Sequence, residues 1–228
     1  MIEFQNVAKI YLQGQREVRA LNGLSTTVSD GEFVAVMGPS GSGKSTFLHL
    51  AGALDLPSSG AVLIKDTDTS AMSDTERTLL RRRRLGFIFQ FFNLIPTLTV
   101  HENVGLPLLL DGDKISSVRE KVSGLLERVG LGARQVHLPE ELSGGEMQRV
   151  AIARSLVHDP EILLADEPTG NLDSATGTEI MELLHGVASE SNKTIVMVTH
   201  DARVAGYADR TLHLRDGALD ESAASTLS

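Results

Sequence analysis

"EFVAVMGPSGSGKSTFLHLAGAL", Glu32 to Leu54, is the stretch that decides how this chain folds. The run "EFVAVM" is short, apolar and rich in branched residues, as a buried strand should be. "GKSTFLHLAGAL" reads as a helix. Between them lies a turn carrying Gly38, Gly41 and Gly43. A strand that passes through a glycine turn straight into a helix leaves the first helical N–H groups without intrahelical acceptors. Those groups and the helix dipole together favour an anion at the turn.

The rest of the chain repeats the strand–helix alternation outward from that point. "LGFIF" (Leu85 to Phe89), "EILLA" (Glu161 to Ala165) and "TIVMVTH" (Thr194 to His200) are further apolar runs of strand length. "SATGTEIMELLHGVASE" reads as a helix between the last two. Ser73 opens "SDTERTLLRRR", with Glu76 at capping-box spacing. Strands alternating with helices predict an α/β fold with a largely parallel sheet. The first 30 residues instead suggest antiparallel strands and a turn, and roughly residues 91–157 read as helices. No internal repeat, low-complexity run or long linker interrupts the pattern.

Composition narrows the function. With 228 residues, 41% of them hydrophobic, the chain can bury a substantial single-domain core. The balance of 21 Lys plus Arg against 30 Asp plus Glu, net −9, argues against broad nucleic-acid binding. Cysteine is absent, which removes disulfides and thiolate metal sites. The opening "MIEFQNVAKIYLQ" does not have the form of a signal peptide. Apolar runs such as "LPLLL" are far shorter than the roughly 20 residues needed to span a bilayer. The expectation is a soluble chain that reaches a membrane only through a partner.

The motifs supply the chemistry. Gly38 to Ser45, "GPSGSGKS", fits G-x-x-x-x-G-K-[ST] with a strand before it and a helix after it. Glycines let backbone N–H groups converge on a β-phosphate, Lys44 neutralises β/γ charge, and the Ser45 hydroxyl can ligate Mg²⁺. "EILLADEP" ends an apolar strand in two carboxylates. Asp166 is placed to hold Mg²⁺ through water, and Glu167 to polarise a water for attack on a γ-phosphate. His200 ends another apolar strand and could touch the same phosphate or water. A second anion-binding element, "LSGGEMQ" (Leu142 to Gln148), brings Ser143, Gly144 and Gly145 to a helix start. The spacing does not say why one chain needs two.

In this order and company the motifs resemble the nucleotide-binding subunit of an ABC transporter, over essentially the whole chain. Gly38, Pro39, Ser40, Gly41, Ser42, Gly43, Lys44, Ser45 and Thr46 match its Walker A loop, and Gln90 its Q-loop. Ser143, Gly144, Gly145 and Glu146 match the signature, "ILLADE" the Walker B strand, Asn171 to Asp173 the D-loop, and His200 the switch histidine. Tyr11 matches the aromatic that stacks on adenine. The resemblance implies a P-loop NTPase, RecA-like core (about residues 1–90 and 158–228). It also implies an antiparallel β subdomain and an inserted α-helical subdomain (about 91–157). It implies ATP and Mg²⁺, with Ser45, Gln90 and Asp166 toward the metal and Glu167 and His200 catalytic. It implies a head-to-tail homodimer in which the signature of one subunit covers the nucleotide of the other. A transmembrane permease and a place on the cytoplasmic face of the membrane complete the expectation.

"LGFIFQFFNLIPTLTVHENVGLPLLL", Leu85 to Leu110, is similar to ATPases of the lipoprotein-release and macrolide-export type. The rival within the family is a small-solute importer, such as one for amino acids. Residues after Gln90 are the expected permease-docking surface. "RRRR", Arg81 to Arg84, falls at a helix C-terminus, where cations are favoured by the dipole; the competing reading is headgroup or permease contact. A metabolite kinase would leave "LSGGE" unexplained. DNA-repair ATPases insert a long coiled coil for which the interval from Lys44 to Asp166 has no room, and translation-associated ATPases normally carry two cassettes.

Overall fold

The computed structural model describes residues 1–14 and 16–220. Its centre is a six-stranded sheet in the order β10-β9-β3-β8-β7-β6. These strands are β3 (Phe33–Met37), β6 (Leu85–Ile88), β7 (Ile162–Asp166), β8 (Thr194–Val198), β9 (Arg210–Arg215) and β10 (Ala218–Leu219). The first five pair in parallel, and β10 turns back antiparallel on β9. Of the parallel strands, β3, β7 and β8 are buried over nearly their whole length, which is why their sequences read as apolar runs.

The two-residue side-chain period divides those runs between two cores. Val34, Val36, Leu164 and Val196 face one side, with α1 (Lys44–Ala51) and the second sheet. Phe33, Ala35, Leu163 and Ile195 face the other, with α6 (Ser174–Ser191). The second sheet is antiparallel, in the order β2-β1-β4-β5, from β1 (Ile2–Gln13), β2 (Arg16–Val28), β4 (Ser59–Ile64) and β5 (Thr67–Asp68). Phe4 of β1 stacks on Phe47 of α1, with ring centroids 4.3 Å apart, and so presses this sheet onto the first helix.

α3 (Val100–Leu110), α4 (Ile115–Arg128) and α5 (Gly144–Leu156) surround a third cluster that includes Val104, Val122, Leu126 and Val150. Asn103, fully buried in α3, donates to the carbonyls of Ile95, Leu98 and Thr99 and accepts from the N–H of Ile95. One side chain thereby fixes the loop that enters α3. α2 (Asp74–Arg84) starts with the capping box expected of Ser73 and Glu76.

The four arginines at the end of α2 are engaged inside the molecule. Arg81 donates to the carbonyl of Ala53, Arg82 and Arg83 flank Asp111, and Arg84 lies 3.5 Å from Glu161. Exposed pairs of this kind stabilise little. They do make the tract a seam between elements and not an open basic patch. Among the described residues, no helix is long and apolar enough to cross a membrane.

Candidate functional site

The loop between β3 and α1 is shaped by what packs behind it. Gly38 has φ 155°, and a Cβ there would stand 2.2 Å from the carbonyl oxygen of Leu214 in β9. Gly43 has φ 103°, and its Cβ would meet the carbonyl oxygen of Ala20 in β2 at 2.3 Å. A side chain at either position would push the loop off both walls. The N–H of Gly217 donates to the Ser42 carbonyl at 3.1 Å, tying the loop to the turn before β10. Ser42 itself is buried, and its Oγ has no hydrogen-bond partner.

α1 begins at Lys44 with no side chain capping it. Its first-turn N–H groups are therefore available to an anion, in contrast to the capped helices α2, α3 and α5. The Lys44 ammonium folds over the loop and donates to the carbonyls of Gly38 and Pro39 at 2.8 and 2.9 Å. An uncapped helix start, a glycine loop pinned from behind and an ammonium above it fit a polyphosphate. The carboxyl of Asp166, at the end of β7, has its pKa pushed up, chiefly by burial; Glu167 adds to the rise, while His49 and Lys44 oppose it. A half-buried carboxylate at the end of β7, with Ser45 exposed in the first turn of α1, fits a hard cation bound mostly by phosphate and water.

β7 and β8 are neighbours in register, Asp166 opposite Val198, so their ends deliver Glu167 and His200 side by side. His200 Nδ1 lies 2.9 Å from each carboxylate oxygen of Glu167. Glu167 has φ 46°, a left-handed backbone that costs a residue with a side chain about 1–2 kcal/mol. Its N–H donates to Val198 and its carbonyl accepts from Gly170, so the conformation is held at both ends. Gln90 follows β6, and its Nε2 is 3.1 Å from where a Cβ on Gly170 would be. The Gln90 carbonyl accepts from Asn171 Nδ2 at 2.7 Å. The expected Walker A, Walker B, Q-loop, D-loop and histidine residues thus converge at one end of the parallel strands.

Tyr11 lies in β1, its hydroxyl bonded to Asp55 at 2.9 Å, with Lys9 Nζ 5.0 Å from the ring centroid. Burial raises the Tyr11 pKa, and a hydrogen bond from Thr46, at the start of α1, opposes the rise. The aromatic therefore stands next to the phosphate loop. Asp55 and Lys9, which hold it, have no local sequence signal.

The signature residues lie at the start of α5, where Leu172 of the D-loop stands 3.3 Å from the Cβ position of Gly144. Ser143 Oγ accepts from the N–H of Glu146, whose carboxylate accepts in turn from the N–H and hydroxyl of Ser143. Arg134 occupies the other Glu146 oxygen at 2.9 Å. Glu146, expected among the nucleotide contacts, thus gives one oxygen and its N–H to the helix start and the other oxygen to Arg134. Behind the signature, a Cβ on Gly145 would meet Thr176 Cγ2 at 2.5 Å.

Comparison with known proteins agrees with this geometry. The pattern described as ABC transporter matches residues 21–170. The chain is 50% identical over 221 residues to an uncharacterized ABC transporter ATP-binding protein of Methanocaldococcus jannaschii, covering 97% of this chain and 98% of the relative. It is 46% identical over 215 residues to the lipoprotein-releasing system ATP-binding protein LolD of Legionella pneumophila (94% and 95% covered). It is also 46% identical over 217 residues to the macrolide export ATP-binding/permease protein MacB of Hyphomonas neptunium, covering 95% of this chain but 34% of that protein. Among solved structures, a dimeric post-hydrolysis state of the ATP-binding cassette MJ0796 with ADP and Pi superposes with a TM-score of 0.90. That likeness is at 44% identity and covers 97% of both chains.

Proposed function

The chain belongs to the ABC transporter family of ATP-hydrolysing cassettes, and from that premise we propose that it works as a head-to-tail homodimer driving a membrane permease of the lipoprotein-release or macrolide-export type. The observation that carries the catalytic part is the Glu167–His200 pair, beside the uncapped start of α1.

Each residue then has one task. The N–H groups of Gly38 to Thr46 and the Lys44 ammonium hold the β- and γ-phosphates, and Tyr11 stacks on the adenine. Ser45, Asp166 and Gln90 would hold Mg²⁺, which when bound supplies charge neutralisation at those phosphates. Glu167 accepts a proton as a water oxygen bonds to the γ-phosphorus and the bond to the β-bridging oxygen breaks, releasing ADP and phosphate. His200, bonded through Nδ1, keeps the carboxylate oriented. Ser143, Gly144 and Gly145 offer their helix start to the γ-phosphate of the other subunit, which accounts for two anion-binding elements in one chain. The dimeric state of the MJ0796 cassette supports that arrangement.

The permease would dock on the segment after Gln90. Phe91 is 72% exposed and Leu110 62%. Beside them a groove of about 260 Å³ is floored by Phe87, Phe89 and Pro107. Docking there would hold the protein at the cytoplasmic face of the membrane through its partner. The test is capture of the permease from solubilised membranes, followed by ATPase measurement with that permease in liposomes. Stimulation by the permease, and none by DNA or ribosomes, is the expected result. Stimulation by either nucleic acid or ribosomes alone would overturn the assignment.

A further inference from the structure

The backbone that leaves Gln90 turns sharply. Phe92 and Asn93 have φ 60° and 49°, both left-handed. Residues with side chains hold such conformations only where their surroundings enforce them. Backbone bonds from Phe92 N–H to Phe89 and from Asn93 N–H to Phe91 shape the turn, and Arg154, in the last turns of α5, holds it from behind. Its Nη2 donates to the Phe92 carbonyl at 2.6 Å and its Nη1 to the Asn93 carbonyl at 2.5 Å. Burial pushes the Arg154 pKa down, with no carboxylate opposing the shift. A largely buried guanidinium is costly unless its donors are used, and here they are used on that turn.

The near end of the same loop is also fastened. Asn171 Nδ2 holds the Gln90 carbonyl, and the adjacent Leu172 packs 3.3 Å from the Cβ position of Gly144, at the start of α5. Loop, D-loop and α5 form a closed ring, with Arg154 as its far link. We infer that Arg154 is a positioning residue that fastens the turn behind Gln90 to the helix beginning at Ser143, so that the two move as one body. This rests on the head-to-tail reading. Gln90 then faces a subunit's own nucleotide while Ser143 faces its partner's, and Arg154 is the link through which one site reports on the other.

The test uses Arg154→Met and Arg154→Lys in the whole protein, with Gln90→Ala and the double variant. Amide exchange over residues 91–94 reads the tether directly and should quicken in both Arg154 variants. The affinity of the isolated subunit for MgATP should hold, because the phosphate loop is untouched. Turnover should fall in kcat by about tenfold or more with little change in KM, as misplacement of a distant support does. Arg154→Lys should recover part of it, through one ammonium in place of two guanidinium donors. The double Arg154→Met, Gln90→Ala variant should be no slower than the slower single one, as expected of residues that act as a unit. Unchanged kcat in either variant, or losses that multiply, would overturn the inference. If Arg154→Met does not fold, Arg154→Lys decides. Quickened exchange with normal turnover would sink the link and leave the head-to-tail reading standing. Failure of the wild-type protein to dimerise with ATP would instead strike that reading.

Discussion

His200 Nδ1 sits equidistant, at 2.9 Å, from both carboxylate oxygens of Glu167. The Glu167 side chain is 15% exposed and that of His200 71%, so the carboxylate is the anchored member and the imidazole the accessible one. Among the described residues His200 has no other protein hydrogen bond, so Nε2 remains for the substrate side. Glu167→Gln keeps the shape and loses the proton acceptor. Turnover should drop by about 10²–10⁴-fold, the usual worth of a positioned base. MgATP should still bind, and light scattering should show an ATP-dependent dimer accumulating. A variant with normal turnover would remove Glu167 from the base role.

Lys44→Ala removes the ammonium above the loop while leaving the glycine cradle and its rear walls in place. Two hydrogen bonds to exposed or half-buried carbonyls are worth little to folding, about 0.5–1.5 kcal/mol each. The melting temperature should therefore move slightly and MgATP affinity should collapse, as titration with a fluorescent nucleotide would show. Retained affinity would mean that the loop binds phosphate without its lysine.

Gly145→Ala inserts a methyl group where Thr176 Cγ2 already stands, at 2.5 Å. Overpacking of this kind costs about 1–3 kcal/mol, visible in urea unfolding. Adding Thr176→Ser removes the opposing methyl and keeps the hydroxyl that donates to Asp173 at 2.6 Å. Stability should return in the double variant. If it does not, the glycine is required for its backbone and not for this contact.

Burial pushes the Asp166 carboxyl above its ordinary value of 3.8, so the folded protein holds that proton more tightly than the unfolded chain. The stability this gives is complete below the ordinary value and is lost as pH rises through the raised one. At neutral pH the charged side chain is then a liability in nucleotide-free protein. Asp166→Asn should raise the melting temperature at pH 7, and the gain should vanish as the pH falls below the ordinary carboxylate range. MgATP hydrolysis should suffer at the same time. A gain that is equal at all pH values would point to packing, not charge.

Phe91→Asp changes a side chain that is 72% exposed. Basal ATPase and melting temperature should hold, while stimulation by the reconstituted permease should be lost. Loss of fold or basal activity would show that Phe91 supports the cassette itself.

The strands β3, β7 and β8 were plain in the sequence because burial on both faces leaves polar residues only at their ends, Asp166 and Thr194. The helix starts at Ser73 and Ser143 were plain because a capping box is a local, four-residue event. β4 and β9 were harder to see. In "SGAVLI" and "RTLHLR" only Val62, Ile64, Leu212 and Leu214 are buried, and the other positions include Ser59, Gly60, Thr211, His213 and two arginines. The motif residues could be assigned without coordinates, since each sits at a strand end or helix start that its neighbours announce. Their supports could not. Asp55 beneath Tyr11, Thr176 behind Gly145 and Arg154 behind Asn93 act across long stretches of chain, and no spacing rule connects them.

The cradle's rear wall comes from the far end of the described chain: the Leu214 carbonyl crowds Gly38, and the Gly217 amide holds Ser42. β9 also pairs in parallel with β3, the strand that feeds the cradle. On the ribosome, every recognition motif from Tyr11 to His200 emerges before that wall exists. A nascent chain that stops short of Arg210 carries the whole written signature of a nucleotide-binding protein and lacks the surface that bends it into shape. Competence for nucleotide therefore depends on β9 and the turn at Gly217, elements that follow every recognition motif in the sequence.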